Sequence, residues 1–190
     1  FSEESRNLFS ALVDVVSSVR SNLRNTTSLD NDVTAPVDTL RDRLTERAAP
    51  SISAVALCRR VVTYGVYDEM PAEEIVAGRA VQTIIYSEIR NLRSERTDDG
   101  QNRVSLATRL ELLTAEGQSV WQREEPLITD VCRRRRYDFF LAQRITLPAT
   151  LNPGAYVLIV FVEDKLSSLG SETLHELAIR PPASVAINQQ

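Results

Sequence analysis

The 190-residue chain holds one histidine, two cysteines, one tryptophan, one methionine and a single lysine, Lys165, among 22 basic residues. Tetrahedral zinc needs four ligands, and His175, Cys58 and Cys132 supply three without clustered spacing, which argues against a resident metal or cofactor. His175-Glu176 has no second histidine four residues from the first, so it is not a metalloprotease motif. No serine sits at a strand-to-helix elbow and Cys132 has no histidine nearby in sequence, which argues against an enzyme and against a small-molecule substrate. The longest apolar run, Tyr156 to Val162, has the length of a strand and falls far short of the roughly 20 residues of a membrane-spanning helix. With 6% aromatics, a formal charge of -4 and a pI near 5.2, the chain offers no basic aromatic face for nucleic acid. It opens at Phe1 without a basic segment and apolar core of a leader, and so reads as a mature product or a piece of a longer protein.

What is present divides into two parts near Pro50. Leu8, Leu12, Val15, Val16, Val19 and Leu23 recur at helical spacing. Glu3 and Glu4 stand at the start and Arg20 and Arg24 at the end, as a helix dipole favours, so the pattern predicts a helix over 3–24. A polar stretch from Asn25 to Asp32 follows, in which Asn25-Thr-Thr27 fits a glycosylation acceptor of a eukaryotic secretory pathway. Thr34 and Pro36 then open a second helix carrying Val37, Leu40 and Leu44, which Pro50 ends. Two short helices bury little between themselves. The stripe Leu8, Leu12, Val15, Val19 and Leu23 is therefore expected to dock on the rest of the chain, on a protein partner, or on itself in an oligomer.

From Ile52 the period becomes two, and turn signals recur at short intervals. Strands are expected near 53–67, 80–91, 103–114, 118–128, 136–147, 155–164 and 172–180. The fold class is mainly β: a seven-stranded antiparallel immunoglobulin-like sandwich over 51–181, preceded by a helical appendage over 1–50 and followed by a tail or linker over 182–190. Val104, Leu106, Leu110 and Leu112 alternate with Ser105, Arg109 and Glu111, so that strand has one wet face. In the sixth strand Val157, Ile159 and Phe161 interleave with an already apolar face, which makes them a second candidate docking surface. Asp98-Asp99-Gly100 reads as a hairpin turn rather than a calcium loop, because the ligand spacing of an EF-hand is missing.

The segment Leu147-Pro-Ala-Thr-Leu-Asn-Pro-Gly-Ala-Tyr156 resembles the tyrosine corner of immunoglobulin-like and fibronectin type III-like sandwiches, with Pro153-Gly154 as the turn. With Val160-Phe-Val-Glu-Asp164 it is similar to the penultimate hairpin of bacterial extracytoplasmic immunoglobulin-like modules. Asp130-Val-Cys-Arg-Arg-Arg-Arg-Tyr-Asp-Phe-Phe140 also resembles a segment of exported sandwich proteins. The resemblance covers about 52–180. It implies a non-catalytic structural or protein-binding module, placed in the periplasm or at the cell surface, and carries no catalytic residue. Unlike antibody domains, the chain has no cysteine on the second or sixth strand, and Trp121 lies on the fourth.

Two features keep alternative readings. Cys58 and Cys132 either form a disulfide, contributing very roughly 4 kcal/mol through loop closure, or are two buried thiols that behave as small hydrophobes. Arg133, Arg134, Arg135 and Arg136 either grip an anionic glycan or phosphate with Tyr137 stacking beside them, or form a solvated strand entry balanced by Glu124, Glu125, Asp130 and Asp138. His175 reads as a residue of a surface strand.

Overall fold

The computed structural model describes residues 2–24, 34–45, 48–136 and 139–182. The chain forms two compact units, Phe1–Ala48 and Ala49–Gln190. The first contains α1 (Glu3–Arg24) and α2 (Thr34–Thr45). Ser2 starts α1 as its apolar pattern requires: its hydroxyl accepts from the Ser5 N–H at 3.2 Å, which satisfies one of the four free donors of the first turn. Ala11, Asp14, Ser17 and Ser18 of α1 face Ala35, Pro36 and Thr39 of α2 across a shallow groove.

Among its described residues the second unit holds nine strands rather than the seven expected. They are β1 (Ser51–Thr63), β2 (Val66–Glu69), β3 (Val81–Arg90), β4 (Glu95–Arg96), β5 (Asn102–Thr114), β6 (Ser119–Cys132), β7 (Phe139–Leu147), β8 (Gly154–Asp164) and β9 (Leu169–Ile179). The two additions have local causes. Gly65, at a φ of 68°, turns the chain after Tyr64 and splits the first expected strand into the β1–β2 hairpin. Asp98-Asp99-Gly100 is indeed a turn: the Gly100 N–H donates to Thr97 O at 2.9 Å, and the two residues of β4 pair with Asn102 and Arg103 across it.

All the strand pairings are antiparallel, in two sheets. One runs β2-β1-β3-β7. In the other, β5 pairs with β6 along one edge and with β4 and then β8 along the other, and β9 closes the far side of β8. The period-two pattern of each strand places its apolar set between the sheets. Ile85 of β3, Leu110 and Leu112 of β5, and Leu158 and Val160 of β8 are all buried in one cluster with Leu57, Ile145 and Leu147. Each such side chain contributes roughly 1.5–3 kcal/mol on burial. Inside this layer Gln143 Nε2 donates to Thr108 Oγ1 at 2.9 Å, a hydrogen bond joining the two sheets. Arg123 of β6 donates to the Arg144 carbonyl of β7 at 2.6 Å and ties the two sheets together along that side. A register shift in β6 between the partners of Leu106 and Thr108 accommodates Pro126, which has no N–H to offer an edge ladder.

The registers bring the β3–β5 connection, the β6–β7 connection and the β8–β9 turn to one end of the sandwich. Ile89 pairs with Phe139, Asn102 with Cys132 and Leu106 with Asp164. Asp164 holds this end together. Its side chain is 1% exposed, and its two carboxylate oxygens accept the Arg93 N–H at 2.8 Å and the Leu166 N–H at 2.9 Å.

Candidate functional site

At the opposite end, Tyr156 is buried at the start of β8, and its hydroxyl donates to the Asn152 carbonyl at 2.9 Å. The bond spans Pro153-Gly154, which leads into the strand. This is the geometry that the Leu147–Tyr156 segment predicts. It fixes the connection from β7 to β8.

The arginine run lies in the β6–β7 connection at the Asp164 end. Arg133, Arg134 and Arg136 are exposed and Arg135 is half-buried. Asn102 Nδ2 donates to the Arg133 carbonyl at 3.2 Å, the Cys132 thiol donates to the Arg134 carbonyl at 2.8 Å, and Arg136 pairs with Asp130 at 3.3 Å. Tyr137 and Asp138 lie outside the described residues. Glu125, expected to balance the run, pairs instead with Arg123 of its own strand at 2.5 Å. The run is thus a loop held by its backbone, with the guanidinium groups of Arg133 and Arg134 presented to solvent.

Of the two readings of the cysteine pair the disulfide is ruled out: both cysteines are free. Cys58 and Leu57 point to opposite faces of β1, and Leu57 takes the inter-sheet side, so Cys58 points away from the sheet that carries Cys132. It is fully buried with Ala56 and Tyr86 against Tyr67, Ile84 and Phe140. Burial first, then Glu69 and Asp68, push its thiol up to about 11. The same outer face carries a ring cluster missed by the sequence reading. Tyr67 and Tyr86 lie 4.4 Å apart between centroids, Tyr86 and Phe140 5.7 Å, and Tyr64 and Phe140 6.4 Å. The Tyr86 hydroxyl donates to Glu88 at 2.9 Å and accepts the Gly65 N–H at 2.7 Å, which pins the β1–β2 hairpin over the sheet. Burial is the main reason the Tyr86 phenol is pushed up to about 12. The signal available in sequence was Ile84-Ile85-Tyr86, where apolar residues occupy both phases of a strand.

His175 stands directly opposite Leu158, on the face that Leu177 and Ile179 bury. It is half-buried rather than a residue of the wet face, because the phase of β9 turns it inward. Burial lowers its pKa, and Glu69 opposes that shift. Among the described residues no cluster of three or more His, Cys, Asp and Glu could hold a metal ion.

The two candidate docking surfaces differ. Val157, Ile159 and Phe161 are half-buried on the outer face of β8. The Arg109 guanidinium lies 5.4 Å from the Phe161 ring centroid, and a Cβ on Gly170 would fall 2.7 Å from that ring. The α1 stripe splits into two arcs. Leu8 and Val15 are half-buried on the side of buried Ala11. Leu12, Val19 and Leu23 are exposed, together with Phe9, Val13 and Val16. No helix among the described residues is long and apolar enough to cross a membrane.

The fold is that of a mainly β sandwich of two antiparallel sheets with an N-terminal helical pair. No known family and no curated protein matches the sequence. Among solved structures, a β-glucuronidase from Bacteroides uniformis is similar over 69% of this chain, at 13% identity and a TM-score of 0.38. The match spans 13% of that enzyme's length.

Proposed function

We propose that the sandwich is an immunoglobulin-like, fibronectin type III-like module serving as a non-catalytic structural or protein-binding part of an exported bacterial protein. The observation that carries this reading is the Tyr156 to Asn152 hydrogen bond at the β7–β8 corner, the local signature of such sandwiches. The strand order supports it. In immunoglobulin-like sandwiches the first, second and fifth strands share one sheet and the third, sixth and seventh the other. Counting only the seven long strands, β1, β3 and β7 pair together, and β5, β8 and β9 pair together with β6 on the edge. Fractionation of the producing bacterium tests the reading: recovery in the periplasmic or surface fraction is expected, and recovery in the cytoplasm would overturn the exported assignment.

A second reading, an anion-binding module for a glycan or phosphate, rests on the exposed Arg133 and Arg134 at the end where three connections meet. Guanidinium groups suit carboxylate and phosphate oxygens. Retention on a sulfated matrix that falls with salt and is lost in the Arg133→Ala/Arg134→Ala variant supports it. Retention unchanged by the substitutions refutes it.

A further inference from the structure

Buried Ala11 and half-buried Leu8, Val15 and Ser18 share one face of α1, while its other large apolar side chains are exposed on another. Phe9, Leu12, Val16, Val19 and Leu23 repeat at intervals of three and four, the alternating spacing of a coiled-coil seam, with Val13 beside them. Their exposure is large: 67% for Phe9, 59% for Val16 and 77% for Leu23. At about 150–200 Å² for each fully exposed side chain, the six leave roughly 550 Å² of apolar surface uncovered on α1. Two such faces together reach about 1,100 Å², which is close to the lower bound of a stable specific interface.

We propose that this face pairs with the same face of a second copy of the chain, with the two α1 helices antiparallel. The sequence is self-complementary in that orientation. When Leu12 of one helix lies opposite Val16 of the other, Phe9 lies opposite Val19, and each contact occurs twice about the two-fold axis. The ends then match in charge, because Glu3 at the start of one helix falls within one residue of Arg24 at the end of its partner, and the helix dipoles oppose. Asp14 stays in the groove against α2, away from the pairing face. Each hairpin thereby contributes two helices to a four-helix arrangement, which buries what a lone hairpin cannot. The inference concerns the helical unit and stands whether or not the sandwich is exported.

Sedimentation equilibrium of the 190-residue chain is the test. A mass near twice 21.3 kDa is expected, falling to the single-chain value in Val16→Glu. Val62→Glu, at an exposed apolar residue of the β1–β2 hairpin, leaves the mass doubled. A single-chain mass up to hundreds of micromolar overturns the proposal, as does a doubled mass that survives Val16→Glu. Orientation is read by oxidising a mixture of Leu12→Cys and Val16→Cys chains in a Cys132→Ser background. Antiparallel pairing links the two different chains, whereas selective linking of Val16→Cys to itself overturns the antiparallel arrangement.

Discussion

Replacing Tyr156 by phenylalanine removes one oxygen and leaves the buried ring in place. The lost hydrogen bond runs from the hydroxyl to the Asn152 carbonyl at 2.9 Å. Asn152 is exposed, so its carbonyl regains a water partner, and the cost is the net value of one hydrogen bond, about 1–1.5 kcal/mol. Tyr156→Ala also empties the ring's place in the core cluster beside Leu151, Leu177 and Ile179, and should cost about 3–5 kcal/mol. The acceptor is a backbone atom, so Asn152→Ala should change stability by less than about 0.5 kcal/mol. Urea unfolding followed by Trp121 fluorescence measures all three, since the only tryptophan is on β6 and packs against the sandwich core. An unchanged dependence on urea with a lower midpoint is expected for Tyr156→Phe. The reasoning is refuted if Tyr156→Phe matches the parent within about 0.3 kcal/mol, or if Asn152→Ala costs as much.

Other expectations follow from the buried polar groups. Asp164→Ala strands the Arg93 and Leu166 N–H groups and should destabilise the sandwich by about 2–4 kcal/mol; denaturant unfolding reads it. His175, the only histidine, gives one imidazole titration by NMR. Its pKa should lie below the ordinary 6.5. The fold favours the neutral ring, so its contribution to stability is full above that value and is lost as pH falls through the folded pKa. A value above 6.5 contradicts the inward placement. Cys58 should resist a thiol reagent at pH 8 until the sandwich unfolds, while the partly exposed Cys132 reacts; equal rates contradict the burial of Cys58. The raised Cys58 and Tyr86 values mean that the fold favours both neutral forms. Their stabilisation is full below the unfolded values of 9.0 and 10.0 and is lost as pH rises toward 11 and 12. Thermal melts from pH 8 to 12 should show that decline.

The parts legible in sequence were those governed by local rules. The span of α1 follows from its periodicity and end charges, and the alternation of β5 announced which of its side chains face inward. The tyrosine corner was readable because donor, turn and acceptor lie within five residues. The β1–β2 turn was missed because Tyr64-Gly65 lacks the usual Asn or Asp, so Val61 to Tyr67 reads as one strand. The Tyr67, Tyr86 and Phe140 cluster depends on three strands meeting on an outer face, which the sequence of no single strand reveals. Cysteine count alone could not show that Cys58 faces away from the sheet holding Cys132. The α1 stripe was visible as one apolar band. The structure divides it into an inner arc, with Leu8 and Val15 half-buried beside Ala11, and an exposed arc, a division that depends on helix-to-helix fit.

The central claim is a division of labour: a sandwich that holds its own structure, and a helical pair whose outer face waits for a second chain. Residue-resolved hydrogen exchange at several protein concentrations tests it directly. Amides of Ile85, Leu110 and Leu158 should be equally protected at every concentration, while those of α1 gain protection as concentration rises. Protection of α1 that is independent of concentration would contradict the account.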